Sequence, residues 1–444
     1  MRKAILSLIF VFIAAGAFHA QTAEQHFQTG LGHYDKKDYD RAIVSFSSAI
    51  NLNPAMAVAW YNRGQSYLYK GNYAAAIIEY SQAIKLQSTL ADAYFQRGLA
   101  YRKAKNYDAS IADYSQVLRL VPTDSQAFHN RGLSHYDKGS FDEALADYTD
   151  AIRLDANYVK AYLNRGNVHF KKKNYPLALA DYSKAATLDP TLSEPKYNLG
   201  QANFFAGNYD AAITFYSEVL KLEPTRADAY MQRGLSYRNK KNIDAAIADY
   251  TAAIKVDPLK IDLYHNRGIA YGDKGLADLA IADLNEALRT NPKLHRTYLA
   301  RGNVQYRAKK YDLAVADFSE AMKIEPNYFE AWNNRATVYH AQFKFDLAIA
   351  DLTQAIKISP TNPKGYKDRS ISYYQKKDYD LALKDLNEAI RLDPKMAHTY
   401  AMRGEVYEKK LQNDLAIADY KTCQRLDPTS TFAKAGLARL GVTQ

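Results

Sequence analysis

The stretch AYLNRGNVHFKKKNYPLALADYSKAA, Ala161 to Ala186, reads as two amphipathic helices joined by a polar turn. Its first helix carries Arg165 between Asn164 and Gly166, where a packed helix pair usually places an apolar side chain. The dipeptide Arg-Gly recurs along the chain, so these arginines are either a row of binding groups or part of the architecture.

Working outward, Trp60-x-x-x-Gly64-x-x-Tyr67 and Tyr94-x-x-x-Gly98-x-x-Tyr101 stand 34 residues apart. The offset holds from Ala23 to Ser430 without insertion or deletion, giving twelve repeats that begin at Ala23, Ala57, Ala91, Ser125, Val159, Ser193, Ala227, Ile261, His295, Phe329, Pro363 and Ala397. Position 8 is Gly in ten of them, position 20 is Ala in eleven and position 32 is Pro in ten. Aromatic residues recur at positions 4, 11 and 24. The pattern resembles the tetratricopeptide repeat family, and the resemblance covers the chain from residue 23 to residue 430.

The physics agrees with the resemblance. Small residues at positions 8 and 20 let two antiparallel helices approach closely. Asp, Asn or Ser at position 16 in eight repeats and Asp at position 18 in ten suit the start of a second helix. Proline at position 32 ends that helix and marks the turn into the next repeat. The expected fold is all-α, a solenoid of helix pairs with a groove lined by first helices. Its right-handed superhelical sense is what the resemblance implies. The expected organisation is a signal peptide over 1–20, the solenoid over 23–430 and a capping helix over 431–444. A longer period is also visible, since ADAYFQRGLAYRKAKNYD at Ala91 returns as ADAYMQRGLSYRNKKNID at Ala227, 136 residues on.

Repeats within one chain form their own comparison set, and they answer the arginine question. Position 7 is Arg in ten repeats, with Thr29 and Leu199 as exceptions. Position 23 is Asp or Glu in those same ten, and Ser45 and Phe215 in the exceptions. Two positions that change together are expected to touch. Each arginine is therefore expected to form a bidentate, largely buried bridge to the acid sixteen residues on.

If position 7 faces the second helix, position 6 falls on a different face. Position 6 carries Gln28, Asn62, Gln96, Asn130, Asn164, Asn198, Gln232, Asn266 and Asn334, an amide ladder interrupted by Ala300, Asp368 and Met402. A carboxamide can meet the C=O and N–H of any extended chain. The ladder is similar to the asparagine ladder in the repeat domain of O-linked N-acetylglucosamine transferase; local bonds within the helix are the other reading, and both stay open. Tyr61, Phe95 and Phe170, with Phe27, Tyr136, Tyr197, Phe204 and Tyr306, fall at positions 5 or 12 and are expected to flank the ladder. The recurrent position-4 aromatics are expected in the inter-repeat core. Positions 13 to 16 hold 20 Lys or Arg, which makes one rim basic: a solvated edge, or a docking edge for an anionic surface.

Nothing in the sequence points to an enzyme, a metal site or a cofactor. The ten His form no H-E-x-x-H, the single Cys423 excludes a C-x-x-C, and there is no phosphate-cradling Gly loop. The family's chaperone-binding carboxylate clamp is missing its asparagine, because Ile371 follows Lys367 where it would stand. At the start of the chain, Arg2 and Lys3 precede an apolar run from Ala4 to Phe18, which reads as a secretory signal. Without Arg2 and Lys3 the formal net charge falls from +11 to about +9 over more than 400 residues, too diffuse for nucleic acid. Export with one cysteine, and so without an intrachain disulfide, fits a bacterial periplasm or cell surface. The sequence thus leads to an exported scaffold that takes a protein or peptide in its groove. The alternative is a structural part of an envelope export or polysaccharide-associated assembly.

Overall fold

The structure, a computed structural model, describes residues 22–442; the expected signal peptide lies outside the described residues. Among the described residues there are 25 helices and no strand. Every repeat contributes a first helix of 13 residues, or 14 at Ser125–Lys138, and a second of 14 residues. Thr431–Arg439 forms a nine-residue closing helix whose Ala433 and Leu437 pack on Tyr420 of the last repeat. The chain divides into two compact units, one ending at Leu222 and one beginning at Glu223, each containing six repeats. No helix among the described residues is long and apolar enough to cross a membrane.

The repeat pattern becomes packing as follows. At position 8 a side chain would collide with the ring at position 24: a Cβ on Gly166 would lie 2.7 Å from Tyr182, and one on Gly200 2.6 Å from Tyr216. The two departures from glycine, Ala336 and Ser370, face Leu352 and Leu386 rather than a ring. The position-20 alanines are fully buried in the helix crossing. Ser110, the one substitution there, donates its hydroxyl to the Gly98 carbonyl at 2.7 Å and meets Ser134 Oγ at 2.8 Å, so its polarity is satisfied. Position 16 is the N-cap of the second helix, and Asp38, Asn72, Asn106 and Asn242 each accept from the backbone N–H three residues on.

The turn between the helices places position 15 in the left-handed region in all twelve repeats. Glycine occupies it at Gly71, Gly139, Gly207 and Gly275, yet six lysines, Phe343 and Leu411 adopt it too. Within each unit, most first helices of successive repeats contact one another, and no comparable contact joins successive second helices. The first-helix side is therefore the inner side of each unit.

Candidate functional site

The arginines are architecture. All ten are held by the acid sixteen residues on, with Nε and Nη2 donating to the carboxylate, and the shortest contacts run from 2.6 to 2.8 Å. The acids keep 4–11% of their side-chain surface and the arginines 14–23%. The hydrogen bond to Asp181 raises the pKa of Arg165, while burial raises those of Asp113 and Glu79 despite the facing guanidinium. Burial thus outweighs pairing at these two acids, whereas pairing outweighs burial at Arg165. In the sixth repeat, Leu199 and Phe215 fill the same place with an apolar contact beside Tyr182.

The structure adds an arm that the sequence reading missed. In at least nine of these arginines Nη1 reaches back to position 25 of the preceding repeat, as Arg165 does to Thr149 at 3.1 Å and Arg301 to Asn285 at 2.6 Å. Each strut therefore joins three helices. The signal was present: position 25 is Ser, Thr or Asn in eleven repeats and Lys421 in the last, after which no arginine follows. Each arginine also lies 4.8–6.0 Å from the position-4 ring, so those half-buried rings pack between repeats on one face and cover a guanidinium with the other.

The amide ladder lies on the inner face, but its members differ. Asn62, Asn130 and Asn266 donate Nδ2 to the backbone carbonyl four residues back, each at 2.8 Å, which is the local reading; their Oδ1 atoms accept no bond among the described residues. Asn334 instead donates to Asn303 Oδ1 at 2.9 Å and Asn198 to Asn167 Oδ1 at 3.4 Å. Asn198 is also buried, so this rung of the expected groove is not on the surface. Gln96 and Gln232 are half-buried on the same face.

The flanking rings largely serve the repeat that carries them. Tyr61 packs on Tyr80 and Phe95 on Tyr114, at 5.8 and 5.3 Å, because position 5 faces the position-24 ring. Phe170 packs on Tyr175 across the turn at 5.7 Å, as do the other position-12 rings, because position 12 meets position 17. Phe27 and Tyr197 are buried.

What the first unit brings together is a cavity of about 780 Å³ bounded by Phe95, Gln126, His129, Asn130, Leu133, Tyr158, Val159, Lys160, Leu163 and Asn164. Three of the expected groove residues, Phe95, Asn130 and Asn164, meet there. His129 at its floor is 5% exposed. Asn164 Nδ2 lies 2.8 Å from His129 Nε2, so that nitrogen accepts and Nδ1–H donates to the Tyr158 hydroxyl at 3.1 Å. Burial, helped by Lys160 and Arg102, lowers the His129 pKa to about 4 and keeps it neutral. The wall thus offers amide acceptors, a tyrosine hydroxyl, a cation and apolar surface, a set that suits a polar backbone with mixed side chains. In the second unit a cavity of about 320 Å³ occupies related positions, among Arg238, His265, Ile269, Asp273, Arg296, Leu299 and Asn303.

The rim is less free than its composition suggests. Position-14 lysines pair with the position-18 aspartate of the repeat before, as Lys138 does with Asp108, Lys172 with Asp142, Lys376 with Asp346 and Lys410 with Asp380. Lys171 lies over the Phe141 ring at 4.7 Å. Among the described residues, no group of three or more His, Cys, Asp or Glu is placed to hold a metal ion.

Comparison with known proteins bears on the whole array. A family described as TPR repeat matches residues 64–105, 132–173, 234–275 and 372–410. Families described as tetratricopeptide repeat match 91–124, 159–192, 193–226, 265–328, 329–362 and 397–430. No curated protein sequence matches the chain. Among solved structures it is similar to the yeast Tom70 (18% identity, 94% of this chain and 96% of that one, TM-score 0.46) and to the Cut9 assembly with Hcn1 (14%, 95% and 96%, 0.46). It is also similar to MamA, at 32% identity over 38% of this chain and 92% of that one, with a TM-score of 0.37. Twelve in-phase helix pairs with this residue pattern, matched along most of their length, place the chain in the tetratricopeptide repeat family.

Proposed function

We propose that this tetratricopeptide protein is a non-enzymatic protein-interaction scaffold of a bacterial envelope, which holds an extended segment of a partner against the first-helix face of its first unit. The observation that carries this reading is the cavity of about 780 Å³ in which Asn130 and Asn164 stand beside Phe95, Leu133 and Leu163. Asn130 Oδ1 is a ready acceptor for a partner's N–H, and the leucines give apolar surface for alternate side chains. Export rests on Arg2, Lys3 and the apolar run to Phe18. The lysine rim has a secondary part, through association rate with an anionic surface, since many of its charges are already paired.

The test is a pull-down from envelope extract on immobilised protein, followed by affinity measurement on the captured partner. Asn130→Ala should weaken binding by roughly 0.5–1.5 kcal/mol with unchanged helical content. Neutralising Lys171, Lys172 and Lys173 should alter salt dependence more than residence time. A partner that ignores the Asn130 change and is lost with the lysines would place binding on the rim and refute the groove.

A further inference from the structure

The 136-residue duplication repeats more than helix packing. Arg102, His129, Asp137, Lys160, Asn167 and Lys171 return as Arg238, His265, Asp273, Arg296, Asn303 and Arg307. Among the twelve repeats, His at position 5, Arg at position 12 and Asn at position 9 occur at these two places and nowhere else. Uncharged neighbours have drifted between the copies, Phe95 to Met231, Tyr158 to Leu294 and Asn164 to Ala300, while the four charged members of the set have kept their sign. Helix packing alone asks for none of this, since the other repeats form the same pairs without it.

The structure gathers each set on the inner face of its own unit. Arg102 donates Nε to Asp137 at 2.7 Å, and Arg238 does the same to Asp273 at 2.8 Å, which leaves the Nη groups of both as donors. Arg307 stands 3.7 Å from Asp273, whereas its counterpart Lys171 lies over the Phe141 ring. Lys160 and Arg296 are exposed, have no acid partner among the described residues, and line the two cavities beside His129 and His265. Burial lowers the pKa of both histidines; Lys160 and Arg102 add to the effect on His129, whereas at His265 Asp262 opposes it and Arg238 and Arg296 add to it. Leu163 and Leu299 line the same walls. Each cavity is therefore cationic on one side and apolar on the other. Asp262 stands where the first site has Gln126, so the second site is the less positive of the two.

We propose that these are two equivalent seats, one in each unit, for a carboxylate side chain flanked by apolar residues in an extended partner chain. The proposal rests on the groove reading and adds the chemistry of the occupant. The guanidinium Nη groups and the free cation, Lys160 or Arg296, receive the carboxylate, and Leu163 or Leu299 receives the apolar neighbour.

The probe is an acetylated decapeptide of alternating Glu and Leu, titrated calorimetrically into the full chain, with Ser-Leu and Lys-Leu decapeptides as controls. The Glu-Leu peptide should bind at two sites per chain, the first-unit site the tighter, and the controls should not bind. Lys160→Glu should leave one site, Arg296→Glu should leave the other, and both together none, each lost site weakening at least tenfold. Both residues are exposed, so the helical circular dichroism should not change. Lys105→Glu with Lys173→Glu, the same charge change on the turns, should leave two sites. One site, no binding, or two sites that survive both reversals would overturn the proposal. If Asn130→Ala weakens the captured partner while the Glu-Leu peptide finds no paired sites, the groove stands and the carboxylate preference fails; paired sites with a partner indifferent to Asn130 give the reverse.

Discussion

Replacing Arg165 by Leu leaves Asp181 buried with no counter-ion. Its side chain keeps 7% of its surface, and breaking a buried pair at one end costs about 3–5 kcal/mol. The same change removes the Thr149 hydrogen bond, about 1 kcal/mol, and the guanidinium over Tyr162 at 5.7 Å, about 0.5–1 kcal/mol. Asp181→Phe alone strands the arginine, which is 21% exposed, so it should cost less. The double variant recreates the Leu199–Phe215 contact of the sixth repeat and removes the buried-charge cost. It does not restore the other two interactions, so a residual loss of about 1–2 kcal/mol should remain and the coupling should be at least about 3 kcal/mol. Because a repeat array opens locally, the assay is hydrogen exchange of the amides over Val159–Leu188, expressed as a local opening free energy, with urea unfolding beside it. Additive losses in the double variant would refute the strut as an interacting pair.

Two further outcomes follow from the buried polar groups. His129 in the folded chain takes its proton near pH 4, whereas an unfolded histidine takes it near 6.5, so its neutral form stabilises fully above about 6.5 and loses up to about 3 kcal/mol as pH falls to 4. His129→Phe, the residue type at position 95, should flatten that part of the stability-versus-pH curve; an unchanged slope would show that other groups set it. Tyr80 buries its hydroxyl without a partner, whereas Phe46 and Phe318 occupy the same repeat position, so Tyr80→Phe should raise thermal stability by an amount on the order of 1 kcal/mol, and a loss would reveal a hidden partner for the hydroxyl.

The fold was legible because every requirement is written many times. A glycine where a Cβ would lie 2.7 Å from the Tyr182 ring and an alanine at the helix crossing recur in phase, and their exceptions are matched elsewhere. The strut was legible for the same reason, since Leu199 and Phe215 change together. Its third arm escaped because position 25 varies among Ser, Thr and Asn, which read as ordinary helix-surface residues until the reach of Nη1 is seen. The site was only partly legible. Position numbers place residues on a face but do not say which of them another side chain has already engaged: Asn198 is on the expected face yet buried, and Phe170 spends one side on Tyr175. His129, Tyr158 and Lys160 come from three places in the repeat pattern, and only packing assembles them into one wall. Nor did composition show that Lys172 is already paired with Asp142.

The groove itself is tested most directly by where a partner touches. A photo-crosslinking amino acid at Gln126, exposed at the wall of the first-unit cavity, should capture the partner from envelope extract; the same group at Val44, exposed on a second helix, should capture nothing. An adduct from Val44 or from Lys173 on the rim, with none from Gln126, would contradict the account.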